Sequence, residues 1–336
     1  MHLIIDTYGA YVGKHSERVV VRVKGEVQQE VPLLQIEHLL VIAGGVSLSS
    51  DVIRECTERG IPLNFLSRSG APYATVIAPE LTGTVKTRRE QLLAFADERG
   101  VALAKAFAAG KLGNQANLVK YMAKYRKRLD RDLYEQVRES SLEIERLAQE
   151  VRGLAGENVD AVRPQLLNLE GRAGRLYWQA MRELLIANVE WGGRETRGAT
   201  DLVNSLLNYG YGVLYTQIQQ AIILAGLDPY AGFVHVDRSG KTSLVFDLIE
   251  EFRQPVVDRT IFALLNKGRD LQIEDGKLAD ATRRTVADRV LERLEGEEFY
   301  EQKKHKLRTI IQSQARHVAT FLRGEGRAYQ AFVARW

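Results

Sequence analysis

The sequence predicts a multidomain α+β protein: a small N-terminal β-rich domain followed by a larger, all-helical domain. Three observations carry this reading. Short β-branched apolar runs separated by turn residues fill the first 77 positions. Beyond residue 86 apolar residues recur at threes and fours, the helical period. Charge divides the same way. Residues 1–77 hold 7 Lys+Arg against 8 Asp+Glu, whereas residues 105–131 hold 8 against 1 and residues 301–336 hold 8 against 2.

Leu3–Ile5, Tyr11–Val12, Val19–Val23 and Val27–Val31 read as strands, with a hairpin turn at Lys24-Gly25-Glu26. Leu39–Ile42 is another strand, closed by Gly44-Gly45. Ser49 or Ser50 caps a short helix from Asp51 to Arg59, which stops at Gly60. Pro62–Leu66 and Tyr73–Ile77 complete the β domain, residues 1–77. Pro79 marks the boundary, residues 78–86 are a linker, and residues 87–336 form the helical domain. Pro164 suits the first turn of the helix that carries Glu170. Residues 190–200 read as a mobile loop. Thr200 or Asp201 caps a helix to about Ala225, ended by Gly226-Leu227-Asp228-Pro229. Further helices are expected over Val256–Leu265, Asp280–Leu294 and roughly Glu301–Leu322.

Composition excludes several classes. A chain of 336 residues with 45% hydrophobic content is long enough for two domains with a sizeable core. No apolar run reaches the roughly 18 residues of a membrane span. The start of the sequence shows no signal-peptide pattern, so a cytoplasmic protein without membrane partners is expected. The single cysteine, Cys56, rules out an intrachain disulfide and a thiolate metal cage. His2, His15 and His38 are isolated and read as structural or solvated.

The chemistry concentrates in Gly232–Arg253, which contains His235, a Gly240 turn, and a helix-like run with Asp247 and Glu250 three apart on one face. Glu170 lies on the apolar stripe of its own helix, four after Leu166 and three before Ala173. An inward carboxylate needs a compensating partner. Glu170, His235 and Glu250, with Asp247 nearby, form a candidate site for a hard divalent cation such as Mn2+ or Mg2+. The plainer alternative is a core histidine, a capping acid, surface charge and a buried salt bridge. Lys120, Lys124, Lys127 and Arg128, interleaved with Tyr121 and Tyr125, read as a phosphate-backbone track or as a solvated helix face. The tail with Lys303, Lys304 and Arg327 is a second such track. Tyr329, Phe332 and Trp336 suit packing of the final helix better than base stacking.

Five segments in order resemble one family: Leu169-Glu170-Gly171, Thr200–Tyr211, Gly226–Pro229, Gly232–His235 and Ser243–Arg253. They look like the CRISPR-associated endonuclease that acts as the integrase of spacer acquisition, and the resemblance covers essentially the whole chain. It implies an N-terminal β domain that mediates homodimerisation. It also implies a helical domain binding Mn2+ or Mg2+ through Glu170, His235 and Glu250, with Asp247 as a further required acid. Lys241 and Ser243 match positions that contribute to the site or to DNA contacts. Glu251-Phe252 departs from the family's usual Glu-Pro. The third ligand is thus Glu250 or Glu251, and the spacing of three from Asp247 favours Glu250. The implied partners are double-stranded DNA (prespacer and CRISPR repeat) and a small ferredoxin-like adaptation protein in a heterohexamer-type complex. The implied reaction is metal-dependent endonuclease and integrase chemistry in antiviral defense. The alternative from another class is a non-enzymatic DNA-binding scaffold in which the acidic cluster is a salt-bridge network. A metal hydrolase of small phosphoesters is a third option, less suited to two basic blocks.

Overall fold

Short runs of β-branched residues pair into sheets when each can bury one face, and the first 76 residues do so twice. The computed structural model describes every residue except 79–83, 125, 197, 237 and 327. The Pro79 boundary, part of the 78–86 linker, Tyr125, Arg197 of the 190–200 loop, and Arg327 therefore lie outside the described residues.

The strands are β1 (His2–Ile5), β2 (Tyr11–His15), β3 (Arg18–Val23), β4 (Glu26–Pro32), β5 (His38–Val41) and β6 (Ser47–Leu48). Helix α1 (Ser50–Glu58), β7 (Leu63–Leu66) and β8 (Pro72–Val76) follow. Then come α2 (Thr84–Ala94), α3 (Glu98–Ala123), α4 (Arg126–Leu129), α5 (Arg131–Gly153) and α6 (Val159–Leu184). Next are α7 (Leu202–Leu224), α8 (Ser243–Ile249), a π-helical turn (Arg253–Asp258) and α9 (Arg259–Asn266). The chain ends with β9 (Ile273–Glu274), β10 (Lys277–Leu278), α10 (Asp280–Glu295), β11 (Glu297–Tyr300), β12 (Lys303–Lys306) and α11 (Leu307–Leu322). This is the β-rich region followed by a helical region that the sequence predicts.

The chain forms two compact units. The first comprises residues 1–81, 196–216 and 270–292, so the β region gathers two later segments that sequence order alone does not assign to it. One sheet has the order β4-β3-β2-β6 and the other β1-β5-β7-β8. Lys24 and Gly25 both adopt positive φ, 53° and 87°, the geometry of a two-residue hairpin. Alternate residues of both sheets, among them Val12, Val19, Val21, Leu39 and Leu63, share one core with Val52 and Cys56 of α1. Ser49 caps α1 by accepting from the Val52 amide. His38 is a buried structural histidine. Its Nε2 accepts from Asn64 at 2.9 Å, and burial, then neighbouring His2, lowers its pKa to about 3.

The second unit comprises residues 82–195, 217–269 and 293–336. Its body is α3, α5 and α6, which pack against one another pairwise. Asp97, Asp130 and Asn158 cap them by accepting amide hydrogens at their N-termini. Two details differ from expectation. Helix α6 begins at Val159, not at Pro164, because the Asn158 cap starts it and the proline removes only one ladder bond near its start. Residues 301–306 are not helical: β11 and β12 form a hairpin whose turn residues, Glu301 and Gln302, take φ of 46° and 69°. No glycine marks that turn, so it carries no signal in the sequence.

Candidate metal centre

The site is assembled in the helical unit from α3, α6, α8 and the loop before α8. That loop is anchored from two sides. Gln91 donates to the carbonyls of Asp228 and Ala231, at 2.8 and 2.7 Å, and Arg163 donates to the Val234 carbonyl at 3.1 Å. Gly232 is required by close approach. A Cβ there would lie 2.6 Å from the Ser243 Cβ and 2.9 Å from Asp247 Oδ2.

Asp247, fully buried on α8, organises the loop. Its Oδ2 accepts from the amides of Phe233 and Val234, at 2.5 and 3.0 Å. Its Oδ1 accepts from the His235 amide at 3.0 Å and meets the His235 ring Nδ1 at 2.7 Å. One carboxylate thus fixes the backbone on which His235 sits and the orientation of its ring. With Nδ1 engaged, Nε2 is the ring nitrogen left to act as a donor to a cation, the usual arrangement around metal-binding imidazoles.

Glu250 is the first residue beyond α8 and is 5% exposed. Its carboxylate lies 3.4 Å from Arg253 and 3.0 Å from Lys111 Nζ. Lys111, on α3, also pairs with Glu170 of α6. Two carboxylates from distant parts of the chain therefore converge on one positive charge. Burial opposes ionisation of Glu250, but Arg253, Lys111 and His235 outweigh it and hold its pKa at about 2. Burial likewise works against the Lys111 ammonium, and Glu170 and Glu250 prevail, raising its pKa.

Glu251 goes the other way. It is completely buried and binds the C-terminal segment, accepting from Tyr329 Oη, from Gln314 Nε2 at 2.7 Å and from the Phe332 amide at 2.7 Å. Burial pushes its pKa up to about 7 despite these three donors. Of the two adjacent glutamates, only Glu250 shares the cation with Glu170.

The donor set suits a hard divalent ion: two carboxylates and an imidazole nitrogen. Glu250 Oε2 is buried and makes no hydrogen bond of good geometry among the described residues, only the ion pair to Lys111. That is the environment a cation would complete. The donor atoms of Glu170, His235 and Glu250 are not all within 4.8 Å of one another, so closing on one ion requires side-chain adjustment. Lys111 escaped sequence reasoning. Its signal was available, because a lone lysine interrupts the otherwise apolar run Ala108-Ala109-Gly110-Lys111-Leu112.

Ser243 is buried and its hydroxyl donates to the Val236 carbonyl at 3.4 Å, so it holds the loop instead of facing outward. The Lys241 ammonium lies over the Phe246 ring, 5.5 Å from its centre. Along α3 to α5, Lys120 pairs with Glu145 at 2.5 Å, Lys124 and Lys127 lie over Tyr121 and Tyr134, and Arg128 is exposed. Lys303 and Lys304 are exposed on β12. Phe332 stacks on Phe252 and Trp336 packs against Tyr121, so the terminal aromatics serve packing. An open groove of about 460 Å³ follows α6 beyond Glu170, lined by Gly171, Gly174, Arg175, Trp178, Arg182 and Arg194.

The chain is thus a β-rich unit and a helical unit, the latter carrying two glutamates on one lysine and an imidazole held by an aspartate. The model of the CRISPR associated protein Cas1 family matches residues 3–295, and the chain belongs to that family. It is 38% identical to CRISPR-associated endonuclease Cas1 1 of Archaeoglobus fulgidus, covering 100% of both chains. A casposase bound to integration product superimposes with a TM-score of 0.82 at 21% identity, over 98% of this chain and 93% of that one. A chain of a Cas6-RT-Cas1–Cas2 complex gives 0.76 at 20% identity, over 99% of this chain and 36% of that one. The last two likenesses establish the fold. No described helix is long and apolar enough to cross a membrane.

Proposed function

We propose that this chain is a divalent-metal-dependent DNA endonuclease and integrase, inserting short DNA fragments into a CRISPR array by transesterification with a DNA 3′-OH. The observation that carries the proposal is the convergence of Glu170 and Glu250 on one cation position beside an imidazole fixed by Asp247. Bound Mn2+ or Mg2+ would supply Lewis-acid stabilisation of charge on the reacting phosphate. Glu170, His235 and Glu250 would hold it, and Asp247 would keep His235 in register. No side-chain nucleophile is needed, since the attacking hydroxyl comes from DNA or water.

DNA is the fitting substrate because exposed cationic side chains stand on several elements. The groove along α6 offers Arg175 and Arg182 for phosphates, with Arg194 over the Trp178 ring. Lys120, Lys124, Lys127, Arg128, Lys241, Lys303 and Lys304 would hold backbone without reading bases. The relatives' names and titles, which include an endonuclease, an integration product, a complex with Cas2 and a TtCas1-DNA complex, support the same reading for this chain. A homodimer through the β unit and a cytoplasmic location complete the reading.

One observation favours the non-enzymatic scaffold: Lys111 already neutralises Glu170 and Glu250 as a salt-bridge network would. Titrating Mn2+ and Mg2+ against labelled branched DNA separates the two. The enzymatic reading expects cleavage and strand-transfer products that require metal and disappear in Glu170→Gln, His235→Ala and Glu250→Gln while DNA binding persists. Binding without metal-dependent products supports the scaffold.

A further inference from the structure

Lys111 is the feature that the proposed reaction does not use. Its ammonium stands between the two carboxylates that the metal reading needs, pairing with Glu170 and lying 3.0 Å from Glu250. A divalent ion bound by those carboxylates and an ammonium in the same place would be two cations competing for one position. At such separations their repulsion in a partly buried site is large. One must leave when the other arrives.

The surroundings determine which part moves. Helix α3 is pinned on both sides of Lys111 by the C-terminal segment. A Cβ on Gly110 would come 2.5 Å from the Ala331 Cβ, and one on Gly113 would come 3.3 Å from Val333. Asn114 Nδ2 donates to the carbonyls of Glu251 and Phe332, at 2.9 and 2.8 Å, and the Ala334 amide donates to Asn114 Oδ1 at 2.8 Å. With the backbone held, exchange is left to the Lys111 side chain, whose four-carbon stem has several rotatable bonds.

We propose that Lys111 is a resident internal cation: without a divalent ion it holds Glu170 and Glu250 together, and it swings out when the ion binds. It is a positioning residue that preforms the carboxylate pair and sets how tightly metal is taken up. The displacement half rests on the metal-dependent reading above; the bridging half does not. In this scheme the lysine-bridged form is not competent for metal, so apparent affinity is reduced by the fraction of molecules in that form.

The test uses the full chain without DNA. Mn2+ binding is followed by the electron paramagnetic resonance signal of the free ion, and thermal unfolding is recorded with chelator. The variants are K111M, which keeps the stem and removes the charge, the double variant E170Q/E250Q, and the triple variant. K111M is expected to bind Mn2+ at least about 10-fold more tightly than wild type. With chelator it is expected to melt on the order of 5 °C lower. The melting deficit should shrink when E170Q/E250Q is added. Equal or weaker Mn2+ binding by K111M overturns the displacement. A melting deficit that persists unchanged in the triple variant overturns the bridge. If wild type binds Mn2+ no better than E170Q/E250Q, the metal reading fails and the exchange with it, while the melting data still decide the bridge. Should K111M not fold, K111Q is measured the same way.

Discussion

Glu250 and Glu251 are neighbours in the chain, yet they serve opposite sides of one turn. Glu250 points toward Arg253 and Lys111, and those positive groups overcome burial and hold its pKa at about 2. Glu251 points among neutral donors, Tyr329, Gln314 and the Phe332 amide, and burial wins, pushing it to about 7. The lesson is that burial alone does not decide the charge of a carboxyl. Net opposing charge within a few ångströms does, and hydrogen bonds from neutral groups compensate only in part. One side of the turn faces a lysine and an arginine, and the other is a clasp for the end of the chain.

The strongest way to break this contrast is to neutralise each side in turn. Glu250→Gln should lower metal-dependent cleavage and strand transfer by about 10^3-fold or more, whereas Glu251→Gln should keep activity within about 10-fold. Single-turnover assays on branched DNA measure both. Comparable losses in the two would erase the division of labour.

The next effect is on stability. A carboxyl whose folded pKa lies above its unfolded value favours the fold below the unfolded pKa and loses that contribution as pH rises through the folded one. For Glu251 the window runs from about 4.5 to about 7. Across it wild-type stability should fall by about 3 kcal/mol, while Glu251→Gln lacks this component. Denaturant melts at pH 5 and pH 8 test the difference between the two proteins.

A smaller effect is expected one turn earlier. Asp247→Asn should weaken Mn2+ binding by about 10–100-fold, because the His235 ring loses its anionic partner while keeping its place near the site. Calorimetric titration reads this without DNA. The mildest change is expected far from the turn. Neutralising Lys124 and Lys127 together should reduce the salt slope of DNA binding by about 1.5 to 2 while leaving Mn2+ affinity unchanged.

Much of this was legible in the sequence because it obeys local rules. The strands announce themselves through β-branched runs, and α1 through Ser49 and Gly60. Glu170 stands out as an acid on an apolar stripe, and Glu250 by its spacing from Asp247. What stayed hidden depends on long-range partners. Nothing local says that Glu251 meets Tyr329 and Phe332, or that Lys111 reaches residues from α6 and the end of α8. The β11–β12 hairpin carries no local signal because Glu301 and Gln302 turn without glycine. Ser243, expected to contribute to the site or to DNA contacts, is buried where Gly232 approaches it.

The most direct measurement is anomalous scattering from a crystal soaked in Mn2+. The account predicts one manganese peak at coordination distance, about 2.2 Å, from carboxylate oxygens of Glu170 and Glu250 and from His235 Nε2, with the Lys111 ammonium moved away. A Mn2+-saturated crystal in which Lys111 still bridges the two glutamates and no manganese lies beside His235 would contradict it.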